Sequence, residues 1–328
     1  AGRVSQAASS VAIGYHAGSN AQGIASVAIG YTAGSDDQAA SAVAIGDVAG
    51  RTSQGISATA VGDNAGLNAQ GSKSVAVGHY AGQTSQGANA VAIGDVAGSG
   101  SQGVKSVAIG NAAARGSQGT LAVAVGADAG CNVQGNYSVA VGYRSGCADQ
   151  GAEAVAIGST AGCDDQGSYA VAIGSQAGRL DQGTQSIAIG YVSGSDNQGS
   201  YAIAIGPGAG KTNQDDKAVA IGYEAGCANQ VDFAVAIGHQ AGLNVQGQSS
   251  VAIGNQAGKN GQGANSIAIS AVGTLQNTTA SSCRIRTLRA VNGTQSIRVY
   301  RHTSHELTYG SDSSDDRLKI NETLLTNA

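Results

Sequence analysis

A glutamine returns every sixteen residues along most of this 328-residue chain, without an insertion or a deletion. The series opens at Gln6 and continues through Gln22, Gln38, Gln54, Gln70, Gln86, Gln102, Gln118, Gln134, Gln150, Gln166, Gln182, Gln198, Gln214, Gln230, Gln246 and Gln262. A fixed period this short is the signature of a solenoid in which each repeat makes one turn. Written from Val11, the unit reads V-A-I-G-x-x-A-G-x-x-x-Q-G-x-x-x. Its second position is Ala in every unit, from Ala12 to Ala268. Its third is Ile or Val, and its fourth is Gly from Gly14 to Gly254, then Ser270. Val-Ala-Ile is β-prone and too short for a helix, and the Gly behind it turns the chain. Sixteen residues suit two short strands and two turns. The expected fold is therefore an all-β parallel β-solenoid of sixteen-residue coils. Seventeen coils at the spacing of paired strands give a rod of roughly 80 Å.

Side chains of a strand alternate between its faces. Val11 and Ile13 share one face and Ala12 takes the other. Both faces are apolar, which points to burial of both. The branched residues are expected to fill the inside of the coil. The Ala column is expected to face a neighbouring subunit, where only a methyl keeps two backbones close. Stacked coils also place the Gln side chains about 4.8 Å apart. At that spacing amides hydrogen-bond along the stack, and each has donors and an acceptor for both neighbours. The column from Gln22 to Gln262 is read as a structural ladder that fixes register, not as a ligand site.

The chain has 52 Gly, one Pro, one Phe and neither Trp nor Met. So thin a core implies that stability comes from stacking and subunit contacts. The formal charge of −4 argues against a nucleic-acid partner. No apolar run approaches the length of a membrane span. The repeats offer no paired carboxylates, no Ser-His-Asp set and no phosphate loop, so no enzyme, cofactor or metal centre is expected. A glycan-cleaving cleft would need two nearby carboxylates in an inserted domain, and an ice-binding solenoid would show a Thr array. The column after the Gly reads instead Tyr15, Tyr31, Asp47, Asp63, His79, Asp95. Cys131, Cys147 and Cys163 occupy one repeat position, with Cys227 further along the same column. Adjacent coils bring such residues into disulfide range, but three in a row cannot all pair, and a flat column cannot surround a zinc ion. Reduced thiols are expected. Asp37, Asp149, Asp165 and Asp181 precede the Gln in their coils and read as solvated surface.

The register dissolves after Ile269. Residues 1–270 are read as the shaft, 271–282 as a small, polar linker and 283–312 as a small β cap. Ile285, Leu288 and Val291 lead to Asn292-Gly293, a type I′ hairpin signal, and Ile297, Val299, Leu307 and Tyr309 suggest further strands. Arg284, Arg286, Arg289, Arg298 and Arg301 make the cap locally basic. The chain opens mid-repeat, and a piece of a longer polypeptide is expected.

Two segments resemble known families. Ser314-Asp315-Asp316-Arg317-Leu318-Lys319 resembles the Ser-Asp-x-Arg-x-Lys start of the C-terminal intramolecular chaperone, an auto-processing (endosialidase-type) domain of phage tail spikes and of fibres of phages and large DNA viruses. It would make 313–328 the beginning of such a chaperone. The resemblance implies that Ser314 is the nucleophile of self-cleavage and Lys319 its base, which accords with a Lys activating a neighbouring hydroxyl. Ser26-Val27-Ala28-Ile29-Gly30 resembles the head repeat of trimeric autotransporter adhesins, the YadA-like heads. That implies a left-handed parallel β-roll in a homotrimer, although those heads usually repeat every fourteen residues. Together the two imply a trimeric viral fibre shaft on the virion surface, contacting a host receptor or glycan, with no membrane insertion. The alternative is the head of a bacterial trimeric surface adhesin.

Overall fold

The computed structural model describes residues 4–286 and, beyond them, the backbone of Arg298–Arg301 and Leu307–Gly310. The described residues form strands and turns, with no helix. Each coil contributes two strands, except that the coil of Gln246 makes isolated bridges in place of the second. One is the Val-Ala-Ile segment, as at Val139–Val141 and Val155–Ile157. The other ends on the Gln, as at Ala148–Gln150 and Asp164–Gln166. Like pairs with like, parallel and in register. Val139 lies against Val155, Ala140 against Ala156 and Val141 against Ile157, while Gln150 lies against Gln166. The Val-Ala-Ile strands stack from Val11–Ile13 at one end to Cys283–Arg286 at the other. The fold is thus the parallel solenoid, one coil per repeat.

The turns join the same ladder. Thr160 N–H donates to Tyr143 O at 2.8 Å, and Tyr169 N–H to Ala152 O at 2.9 Å. Bending a sixteen-residue coil around two three-residue strands forces the backbone left-handed. Thr160 has φ 52°, Asp165 52° and Tyr169 60°. Such angles are unfavourable for residues with a Cβ, and the coil-to-coil hydrogen bonds hold them. At Gly142 the demand is stricter. Its φ is 127°, and a Cβ there would lie 2.7 Å from the carbonyl oxygen of Gly158, so only glycine fits.

The interior reverses the expected assignment of strand faces. Ala140 and Ala156 are wholly buried, whereas Ile157 is 38% exposed and Val155 half-buried. The Ala column points into its own coil, and the branched residues point out. The cause is the width of the lumen. It is filled by that Ala column, by a second one (Ala161, Ala177), by small residues before the Val (Ser138, Ala154, Ala170) and by the Gln amides. A Cβ added to Gly130 would already lie 2.9 Å from Gln134 Oε1 and 3.4 Å from Ala124 Cβ. A close-packed space of this size has no place for a branched side chain.

The stretch 271–282 is not a linker. Leu275–Asn277 pairs with the strand Ala257–Gln262, and Cys283–Arg286 pairs in register with Ile267–Ser270. These residues build one more coil. Asn277 is buried and takes the place of the Gln, its Nδ2 donating to Ile267 O at 3.0 Å and to Ser282 O at 3.1 Å. The solenoid therefore continues to Arg286 rather than ending at residue 270, and Ile285 belongs to it. Further on, Arg298–Arg301 and Leu307–Gly310 pair antiparallel. Leu288, Arg289, Val291, the Asn292-Gly293 turn and Ile297 lie outside the described residues, as do Ser314 and Lys319.

Candidate functional site

The Gln column is buried from Gln22 to Gln262. Each amide reaches across the lumen to the first residue of the Val-Ala-Ile strand. Gln166 Nε2 donates to Val155 O at 3.0 Å and also to Gln182 Oε1 at 3.0 Å, while its own Oε1 accepts from Gln150 at 3.1 Å. The bond to the strand carbonyl recurs at both ends of the column, Gln22 to Val11 and Gln262 to Val251. The amide-to-amide ladder runs unbroken from Gln150 to Gln262. Toward the other end it has gaps. Gln22, Gln38, Gln102, Gln118 and Gln150 receive no amide from the preceding coil, and their Oε1 atoms are buried without a partner. Two gaps bound the stretch Gln102–Gln134. There the residue before the Gln (Ser101, Ser117, Val133) departs from the left-handed backbone of its column. The Gln102–Gln118 gap coincides with Ala114, which stands where neighbouring coils have Gly98 and Gly130.

The outer face of the Val-Ala-Ile sheet carries two columns of branched residues. Ile45, Ile93, Ile109, Ile157, Ile173, Ile237 and Ile253 are all exposed, beside half-buried Val43, Val91, Val107, Val155, Val171, Val235 and Val251. A contiguous apolar surface of this kind marks an interaction face.

The remaining columns are polar and aromatic. Tyr15 and Tyr31 stack at 5.3 Å between centroids, and Tyr223 and His239 at 5.4 Å. His79 lies 2.9 Å from Asp95 and 3.7 Å from Asp63, all three half-exposed. Asp37, Asp149, Asp165 and Asp181 are exposed, with φ between 50° and 57°. A short polar side chain suits that left-handed position, so these carboxylates serve the turn. Among the described residues no group of three His, Cys, Asp or Glu is placed to hold a metal ion.

The Cys column departs from the expectation of free thiols. Cys131 and Cys147 form a disulfide with Cα atoms 4.8 Å apart, since the coil spacing alone brings them into range. Cys163, one coil on, keeps a free and buried thiol. Burial, with the carboxylate of Asp164 beside it, pushes that thiol up to about 11.

Two stretches, 117–145 and 182–209, match the YadA head domain repeat. Each covers one whole coil and parts of the two beside it, including the Ala-centred strands Val123–Val125, Val139–Val141, Ile187–Ile189 and Ile203–Ile205. No curated protein matches the chain. Both matched stretches lie within the parallel solenoid, and the chain is similar to YadA head repeats there.

Proposed function

We propose that this chain is the shaft of a surface-exposed homotrimeric fibre, in which three solenoids meet through their Val/Ile faces. The observation that carries this reading is the unpartnered apolar face, repeated coil after coil along the rod. Leaving such a face in water is unfavourable by roughly 25 cal/mol per Å². A closed ring of copies, each offering the same face, removes it from water. The similarity to YadA head repeats supports the same assembly, because those heads are homotrimeric adhesins. Light scattering tests it directly. The expected mass is about three times the 31.8 kDa of one chain; a monomer would refute the reading.

Within that class we favour a viral fibre engaged in host attachment and assembled by a C-terminal chaperone. The support is the motif from Ser314 to Lys319. In the gene product carrying the chaperone, cleavage is expected after Ser314. Ser314→Ala removes the nucleophile and Lys319→Ala its base, so both should leave the chain uncut in a mass spectrum. Cleavage persisting in Ser314→Ala would reject the assignment. The bacterial adhesin head would be favoured by a gene product that continues into a β-barrel anchor.

A further inference from the structure

In a rod this regular, departures from the repeat are conspicuous, and one of them opens a cavity. Three successive coils carry Tyr191, Pro207 and Tyr223 in the column after the Gly, and Val192, Gly208 and Glu224 in the next column. Pro207 is the chain's single proline, and Gly208 is the single glycine of its column between His16 and Gln256. These two small residues between larger neighbours leave a notch of about 530 Å³. The space above Gly208 is open. An added Cβ would touch Glu224 Cγ at 3.3 Å, with no other atom nearer than 3.9 Å.

The notch has the form of a missing rung. Rings on adjacent coils of this column stack 5.3–5.4 Å apart, as in Tyr15–Tyr31 and Tyr223–His239. Tyr191 and Tyr223 stand two coils apart, roughly 10 Å along the rod, and are 62% and 49% exposed. That leaves room between them for one further ring, with Pro207 beneath it. The polar lining mixes charges. Arg179 is held by Asp196 at 2.8 Å, whereas Lys211, exposed at the rim, makes no ion pair among the described residues. Glu224 Oε2 already accepts from Gln240 Nε2 at 2.8 Å and Asp196 Oδ1 from Arg179 at 2.8 Å, which leaves the second oxygen of each for a ligand hydroxyl. Val192 and Pro207 are the aliphatic side chains of the lining.

We infer that this notch binds one acidic pyranose unit of a glycan. The C–H faces of the ring would pack against Tyr191 and Tyr223, its carboxylate would pair with Lys211, and its hydroxyls would donate to Asp196 and Glu224. An acidic sugar gains a charge pair with Lys211 that an uncharged sugar lacks, and a wholly hydrophobic group would leave the carboxylates of Asp196 and Glu224 unused. The inference deepens the surface-fibre reading, since it names the chemical class such a fibre would contact.

The test uses the intact chain with 3′-sialyllactose and trigalacturonate as acidic probes and lactose as the neutral control. Binding is read by saturation-transfer NMR and calorimetry. At least one acidic probe is expected to bind, at least tenfold more tightly than lactose. Pro207→Tyr and Gly208→Gln fill the notch with residues that other coils carry in those columns, such as Tyr223 and Gln240, so the fold should be retained. Each, and Lys211→Gln, should weaken the acidic probe at least tenfold with an unchanged Tm. The inference is overturned if neither acidic probe binds, if lactose binds equally well, or if the filled variants bind like wild type. Light scattering on the same samples separates the two readings. A monomer that binds the sugar refutes the trimer alone, and a trimer that binds neither acidic probe refutes the notch alone.

Discussion

The Gln amide is the largest group that this lumen holds, and each carries part of its neighbours' hydrogen bonding. Gln166→Leu would leave Val155 O, Gln182 Oε1 and Gln150 Nε2 short of a partner. Leaving a buried polar group unpaired costs about 1–3 kcal/mol. Gln185 is exposed on a turn, so Gln185→Leu should be near neutral; equal losses of stability in a urea titration would show that the ladder is incidental. Cys163 gives a second residue-scale expectation. Its thiol ionises near 11 in the folded chain against about 9 when free. The folded state thus holds the proton that the unfolded state loses, and the thiol's contribution to stability falls as pH rises from 9 to 11. Iodoacetamide should alkylate Cys163 slowly at pH 9 in the native protein and rapidly once urea unfolds it; mass spectrometry of the peptide would show either outcome. Of these residues the Gln column was legible in the sequence, because a polar side chain recurring at a fixed period in an apolar repeat finds its partners in the coils above and below. The strand faces were not, because Val and Ala are both apolar and alternation does not tell inside from outside. Only closure of the coil sets the width of the lumen, and that width admits Ala140 and excludes Ile157.

At the scale of the coil, hydrogen-bond geometry persists where the sequence repeat fails. Asn277 sits one position ahead of where the next Gln would fall, and so the coil containing it read as a linker. Its donors nonetheless reach Ile267 O and Ser282 O, as Gln262 reaches Val251 O and Ser266 O. What the period misses, a search for an amide side chain followed four or five residues on by Ser-x-x-Ile could find, here Asn277 before Ser282-Cys283-Arg284-Ile285. The two Gly columns give a paired expectation. Ala114 has φ 48°, where glycine is favoured. Ala114→Gly should keep or raise stability, by up to about 1 kcal/mol. It should also let Gln102 meet Gln118, which an added exchange-protected side-chain amide in the NMR spectrum would report. Gly142→Ala, at φ 127° and against the Gly158 carbonyl, should cost more than about 1 kcal/mol. A tolerated Gly142→Ala would mean that the turns are softer than their hydrogen bonds imply.

At the scale of the whole molecule, two kinds of surface substitution should separate folding from assembly. The Val/Ile face lies outside each coil, so a change there spares the lumen. Val141 and Ile157 are adjacent members of its outer column. Val141→Asp with Ile157→Asp places two carboxylates on the proposed trimer contact without touching the Gln ladder or the Ala columns. Burying an unpaired charge in an interface is far costlier than leaving it in water, so the double variant should sediment as a monomer while keeping the β-sheet circular dichroism of the wild type. Ala140→Leu acts on the other side of the same strand. Ala140 is wholly buried inside its coil, and the extra methylenes should cost about 1–3 kcal/mol by overpacking, lowering the Tm before assembly is affected. The opposite pattern, Ala140→Leu blocking assembly in a well-folded chain while the Asp pair assembles normally, would place the subunit contact on the Ala column and refute the Val/Ile interface.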